Sequence, residues 1–295
     1  DEVIVSTLGF VSSVNVVSYL KATPHFVDCE DISLGIDPDK LEKYLTKNTI
    51  LKNKNCINKK TKKIIKAIIV THVFGYPCQI VKILKVAKKF KIKLIEDSAE
   101  CLGSWYKKKH LGTFGDFGVL SFNGNKIVTT GGGGAILTNN FKDALKALKL
   151  SKNMKIKKNY DQIFDGVGYN YRLPSINAAL GCSQIEKINF FLKKKRKLHN
   201  LYKRNFNKLK FLKFFIEIKD ANSNNWLQAI ILNKGHEHLR NTILRQTNLK
   251  KIQTRPVWSL LHKMKIYKNC QKMNLDTANN LEKRIINIPS SQNLL

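Results

Sequence analysis

The sequence predicts an α/β fold, a mainly parallel sheet in a large domain followed by a smaller C-terminal α/β domain. Three observations lead there. Strand-sized apolar runs alternate with amphipathic helical stretches over the first two-thirds of the chain. The run Ile64 to Val70 is rich in β-branched residues and bounded by charge, as expected of a strand buried on both faces. A length of 295 residues exceeds a typical single domain and suits a large and a small one together. The division is placed at residue 180, with 1–180 as the large domain and 181–295 as the small one.

Val3 to Ser6 reads as the first strand. Ser12 to Leu20 is helical, with Val14, Val17 and Leu20 on overlapping faces. Pro24 to Val27 gives a second strand, and Asp37-Pro38 opens a helix with Asp as cap and Pro in the first turn. The polar insertion Lys52 to Lys63 is an exposed loop or hairpin. After the strand Ile64 to Val70, residues Ile80, Ile83, Leu84, Ala87 and Phe90 mark an amphipathic helix, and Ile92 to Ile95 the next strand. Together these form a βαβ unit. Val119 to Phe122 and Ala135 to Thr138 are short strands around a turn of four glycines, Gly131 to Gly134. Ser175 to Lys210 is helical with a basic middle and leads out of the large domain. Strands near Phe211 to Glu217, Trp226 to Leu232 and Ile252 to Arg255 build the small domain.

Composition narrows the function classes. The chain carries 53 Lys+Arg against 21 Asp+Glu, a net charge of +32. Such an excess suits a nucleic-acid binder. Here, however, it is mostly Lys scattered along the whole length, as at Lys59 to Lys63, Lys107 to Lys109 and Lys193 to Lys197. A dedicated nucleic-acid surface interleaves Arg and aromatics on one face, so the charge reads as compositional. The six cysteines are dispersed without a CxxC pair, which speaks against a disulfide framework and a zinc site and fits a reducing cytoplasm. His236 and His238 are too sparse a pair for a metal, and no metal is expected. No apolar run approaches the ~20 residues that span a bilayer, so no membrane is expected.

Two polar positions stand out. Asp97, in LIEDSAE, follows an apolar strand, and ligands of open α/β sheets bind outside the carboxyl ends of strands. Lys126 lies in SFNGNKIVTTGGGG, between two short strands, where glycine lets a ligand approach the backbone. Ser121 and Thr129 flank it as hydroxyl donors. An acid ending one strand, then Ser, Lys and Gly about thirty residues on, matches the needs of pyridoxal phosphate. That cofactor takes a lysine for its aldehyde, an acid for its ring nitrogen and donors for its phosphate.

The segments VSTLGFVSSVNVVSYLKATPHFVDCED, THVFGYPC, LIEDSAECLGSWYKKKHLGTFGDFGVLSFNGNKIVTTGGGGAILTN and GYNYRLPSINAALG occur in this order. Together they resemble the DegT/DnrJ family of nucleotide-sugar aminotransferases, which have the fold-type-I pyridoxal-phosphate architecture. FNGNKIVTTGGGG, QTRPVW and NIPSS are similar to the branch that makes 4-amino sugars in bacillosamine and legionaminic acid synthesis. The resemblance implies roles. Lys126 would be the Schiff-base lysine, Asp97 the partner of the pyridinium nitrogen, and Ser121 a phosphate ligand. Phe10 would stack on the cofactor ring. Glu100 stands where many relatives carry Gln or His near the cofactor. Asn170 would reach the phosphate in the partner subunit of a homodimer with shared sites. Arg255, Trp258 and His262 would line the sugar-nucleotide site.

The implied reaction takes an amino group from glutamate to a UDP-linked 2-acetamido-2,6-dideoxy-4-keto hexose. GDP-linked 4-keto-6-deoxymannose, aminated in perosamine-type relatives, is the alternative substrate, and a basic nucleic-acid-binding protein the alternative class. Relatives that act as dehydratases carry His in place of the lysine, and Lys126 argues against them. Family members also carry an N-terminal segment with a phosphate-binding Ser/Asn-Gly-Thr turn, and the chain is expected to lack that N-terminal part.

Overall fold

The computed structural model describes residues 1–158 and 160–295. The chain opens with strand β1 (Glu2–Ser6), helix α1 (Ser12–Tyr19) and strand β2 (Thr23–Val27). Helix α2 (Pro38–Asn48) follows, and Asp37 caps it by accepting the Asp39 and Lys40 amides, both at 3.0 Å. The polar insertion is a hairpin, β3 (Thr49–Lys52) and β4 (Asn55–Asn58), whose second strand pairs with β5 (Ile64–Thr71). Helix α3 (Ile80–Lys89) and strand β6 (Lys93–Asp97) complete the βαβ unit. A short hairpin, β7 (Trp105–Tyr106) and β8 (Lys109–His110), precedes β9 (Phe117–Ser121) and β10 (Gly134–Leu137).

Five strands run parallel through β2-β1-β5-β6-β9. The sheet continues into antiparallel β10 at one end. Side chains alternate across it. Ile4, Ile68 and Leu94 pack with Leu41, Leu45, Ile80 and Ile83 of α2 and α3. Val5, Phe26 and Ile69 face the other way, onto Val14 and Val17 of α1. Burial on both faces explains why the β5 segment reads as a continuous apolar run.

Helix α4 (Phe141–Ser151) and the hairpin β11 (Lys155–Lys158), β12 (Asp161–Phe164) lead to α5 (Ser175–Glu186) and α6 (Ile188–Phe206). The remainder comprises β13 (Leu212–Phe214), β14 (Ala221–Asn222), β15 (Gln228–Leu232), α7 (Leu239–Leu249), β16 (Arg255–Pro256), β17 (Gln271–Lys272), α8 (Asp276–Glu282) and β18 (Ile285–Ile288). Four of these strands form an antiparallel sheet, β13-β15-β18-β16. β17 instead adds a parallel strand to β2 of the first sheet, and β14 joins the β7-β8 hairpin.

Two sequence expectations shift. Of the expected strand Ile252 to Arg255 only Arg255 pairs, together with Pro256 just beyond it, because Lys250 caps α7 and Lys251 turns the chain at φ 60°. Trp226 lies ahead of β15, where its amide is held by Asn224 Oδ1 rather than by a ladder. The two sheets meet through one apolar cluster. Leu8, Val73, Phe74 and Tyr76 from the strand ends of the first sheet pack against Phe215, Ala229, Ile231, Leu260 and Ile285. No helix among the described residues is long and apolar enough to cross a membrane.

Candidate active site

The parallel strands end on one edge, and the candidate residues gather there. β6 ends at Asp97, between Thr71 of β5 and Val119 of β9. Its neighbour Glu96 points the other way and is fully buried. Glu96 accepts from His72 Nε2 at 3.0 Å and from the amides of Gly112 at 2.9, Phe114 at 2.6 and Gly115 at 2.7 Å. Burial alone would raise its pKa, but these bonds outweigh burial and hold the carboxyl below its usual range. Asp97 accepts from Ser13 Oγ at the start of α1 and from the Ala99 amide at 3.2 Å.

Lys126 follows β9 and is nearly enclosed, its side chain 13% exposed. The ammonium nitrogen lies 3.7 Å from Glu100 Oε1 and 3.9 Å from the centre of the Trp226 ring. Trp226 is fixed by three contacts: its Nε1 donates to Asn125 O at 2.8 Å, its amide to Asn224 Oδ1 at 2.9 Å, and its carbonyl accepts from Lys195 Nζ at 2.8 Å. Lys195 is itself buried, also donates to Ser290 O, and is lowered by burial to about 8. A cavity of about 310 Å³ opens here, lined by Lys126, Lys195, Trp226, Ser290 and Ser291.

Glu100 is buried, and its Oε2 accepts the Phe74 amide at 2.8 Å. Burial pushes its carboxyl up to about 8, against the pull of Lys126 and helped by Asp97. Phe74 adopts φ 61°, and Gly75 beside it φ 89°. A Cβ at Gly75 would stand 2.1 Å from Asn224 Oδ1, so only glycine allows the two segments to meet there.

The other expected residues distribute unevenly. Phe10 is half exposed and meets Trp258 edge-on at 6.1 Å, and Trp258 tilts onto Phe74 at 5.2 Å. His262 Nδ1 lies 2.6 Å from Thr7 Oγ1, just past β1, and burial with Lys272 and Lys263 lowers its pKa. Ser121 ends β9, and its Oγ accepts the Asn123 amide at 3.2 Å. Arg255 is exposed on β16 and forms no ion pair among the described residues. Asn170 is exposed and bridged to Lys152, with no hydrogen bond to Lys126, Asp97 or Glu100 among the described residues. Ser13, Trp226, Lys195 and the Glu96–His72 pair were not singled out from sequence. The signal for Trp226 is the polar SNNW immediately before an apolar strand. Lys195 sits in a basic run that gives none.

The donor set fits pyridoxal phosphate. It offers a primary amine, a strand-end carboxylate and a partly open aromatic face at Phe10. Among the described residues, three buried hydroxyls at or next to strand ends, Ser6 Oγ, Thr71 Oγ1 and Ser98 Oγ, have no hydrogen-bond partner. Among the described residues, no group of three or more His, Cys, Asp or Glu could hold a metal ion.

Comparison with known proteins agrees with this fit. The profile of the DegT/DnrJ/EryC1/StrS aminotransferase family matches residues 1–295, and the chain belongs to that family. It is a pyridoxal-phosphate-dependent aminotransferase with the fold-type-I architecture. The GDP-perosamine synthase of Escherichia coli O157:H7 is 36% identical over 296 residues, covering 100% of this chain and 75% of that protein. The UDP-4-amino-4,6-dideoxy-N-acetyl-beta-L-altrosamine transaminase of Campylobacter jejuni is 33% identical over 233 residues, 78% of this chain and 58% of that one. The structure of PseC from Helicobacter pylori, an aminotransferase of pseudoaminic acid biosynthesis, superposes with a TM-score of 0.89 at 25% identity. It covers 100% of this chain and 76% of its own.

Borohydride reduction of the protein loaded with pyridoxal phosphate, followed by peptide mapping, is expected to place the pyridoxyl label on Lys126. The Lys126→Ala chain should lose that label, and a label on another lysine would refute the assignment.

Proposed function

We propose that the chain aminates C4 of a nucleotide-linked 4-keto-6-deoxy sugar, with glutamate as amino donor. The observation that carries this reading is the enclosed Lys126 amine, next to Glu100 and on the same sheet edge as Asp97. When bound, pyridoxal phosphate supplies an aldehyde that takes up an amine and a ring that accepts electrons. Lys126 would hold the aldehyde, and its freed amine would carry a proton between carbon atoms of the reacting groups. Asp97, steadied by Ser13 and the Ala99 amide, would keep the ring nitrogen protonated. Ser121 would donate to the phosphate, and Phe10 would cover the ring face. The enclosure of Lys126 keeps water from the amine. Trp258 and His262 abut Phe10 and Thr7, and we assign them with Arg255 to the sugar-nucleotide side. Arg255, exposed and without an ion pair among the described residues, suits a diphosphate.

The first substrate reading is a UDP-linked 2-acetamido-2,6-dideoxy-4-keto hexose. It is supported by the segments around Lys126 and in QTRPVW and NIPSS, and by the Campylobacter transaminase. The second is GDP-linked 4-keto-6-deoxymannose, favoured by the match along the whole of this chain to a GDP-perosamine synthase. With glutamate as donor, kcat/KM is expected to be higher for the UDP sugar, with the new amine at C4. Preference for the GDP sugar would replace the first reading by the second, and amination at C3 would refute both.

We also propose a homodimer in which Asn170 of the partner subunit completes each site. Its exposed position supports this, as does the lack of a hydrogen bond to Lys126 of its own chain among the described residues. Mixing inactive Lys126→Ala and Asn170→Ala subunits is expected to restore activity, because one site of each heterodimer is then intact. No recovery despite confirmed subunit exchange would contradict sharing.

A further inference from the structure

Among the described residues, the Lys126 amine has one carboxylate oxygen within 4 Å, Glu100 Oε1, and the arrangement around that oxygen is specific. Oε2 is committed to the Phe74 amide at 2.8 Å. The Glu100 carbonyl is gripped by Asn224 Nδ2 at 2.7 Å, so the residue is held at both ends. On the far side of the amine, the Trp226 ring at 3.9 Å keeps the nitrogen within reach. Asp97 is occupied on both oxygens, by Ser13 and by the Ala99 amide. Oε1 is therefore the base placed to exchange a proton with Lys126.

We propose that Glu100 is the proton partner of Lys126, taking a proton from its ammonium onto Oε1 and returning it. In this step one N–H bond breaks, its electron pair stays on Nζ, and one O–H bond forms on Oε1. Charges of +1 and −1 become two neutral groups, and the net charge is unchanged. Burial narrows the gap between the charged and the neutral pair. The carboxylate is 7% exposed and the lysine 13%, and 3.7 Å is too long for a closed hydrogen bond. A loose ion pair in an enclosed site carries a desolvation cost that its attraction does not fully return. The neutral pair escapes that cost and presents the free amine needed for attack on a carbonyl, without exchange with bulk water.

The titratable and charged groups facing Glu100 are Lys126, Asp97 at the end of β6, and the adjacent Cys101 thiol. The segments packed on it from residues 73–75 and 224–226 present main-chain donors, Asn224 and the uncharged Trp226 ring. The carboxyl's elevated value, about 8, agrees with a group that can both take and release a proton near neutral pH.

The inference rests on Lys126 being the reactive lysine, and its test separates the two claims. Infrared titration of the cofactor-free chain is expected to show a protonated-carboxyl C=O band that fades as pH rises through about 8. The band should be absent from Glu100→Gln, which keeps an acceptor for the Phe74 amide but cannot take the proton. In Lys126→Ala the band should persist to higher pH, because the ammonium that favours the carboxylate is gone. In the loaded enzyme, Glu100→Gln should slow the half-reaction with the amino donor by about tenfold or more, and the wild-type pH limb near 8 should disappear. A band that ignores Lys126→Ala, no band at all, or an unchanged rate and pH profile in Glu100→Gln would overturn the proposal. A borohydride label on another lysine would instead remove the reading beneath it while leaving the infrared result intact.

Discussion

The Glu96 carboxylate holds the site together. It is fully buried, and four donors converge on it from two different segments, His72 after β5 and the loop Gly112 to Gly115 before β9. A buried carboxylate without such partners would be costly; with them it becomes a staple, and breaking a buried pair of this kind typically costs about 3–5 kcal/mol. Because its folded pKa lies below the ordinary 4.5, the unfolded chain binds the extra proton. The contribution is therefore present above that pH and fades as pH falls through the folded value. Strand alternation then does the rest. With Glu96 fixed to one face, Asp97 must point to the other, toward α1 and Ser13. The same staple sets where β9 starts, and so where Ser121 and Lys126 emerge.

The second sheet matters through what it sends back. Phe215, Ala229, Ile231 and Ile285 give it an apolar face that seats Leu8, Val73 and Phe74. The segment ahead of β15 delivers Asn224 and Trp226 to the same place, one against Gly75 and the Glu100 carbonyl, the other under Lys126. A run of aromatic contacts, Phe10 to Trp258 to Phe74, ties the strand-end loop after β1 to that junction. Lys126 thus rests on residues about a hundred positions later in the chain, which is why the far half of the sequence is needed for a candidate site centred in the first half.

The periodic parts of this arrangement were legible in the sequence. The β-branched run of β5, the Asp37-Pro38 start of α2 and the apolar stripe of α3 all fall where their patterns place them, because each is dictated by local chemistry and two-sided burial. The placement of Asp97 and Lys126 at the sheet edge was legible through strand-end position and the surrounding glycines. Lys195 was not, because a buried lysine and a solvated one look alike within Lys193 to Lys197. Glu96 was not either, since a charged residue inside LIED reads as a strand edge until the loop that binds it is folded over. The short strand at Arg255 was overestimated for a related reason: its pairing depends on β18, thirty residues away in sequence, and not on its own pattern.

Hydrogen–deuterium exchange on wild type and Glu96→Gln measures the staple directly. The glutamine still accepts one or two bonds but cannot hold all four donors as a carboxylate does. Faster exchange is expected in peptides spanning 72–76 and 110–116, with the helices α2 and α3 unchanged. Equal protection in both proteins across those two segments would contradict the claim that Glu96 organises the site.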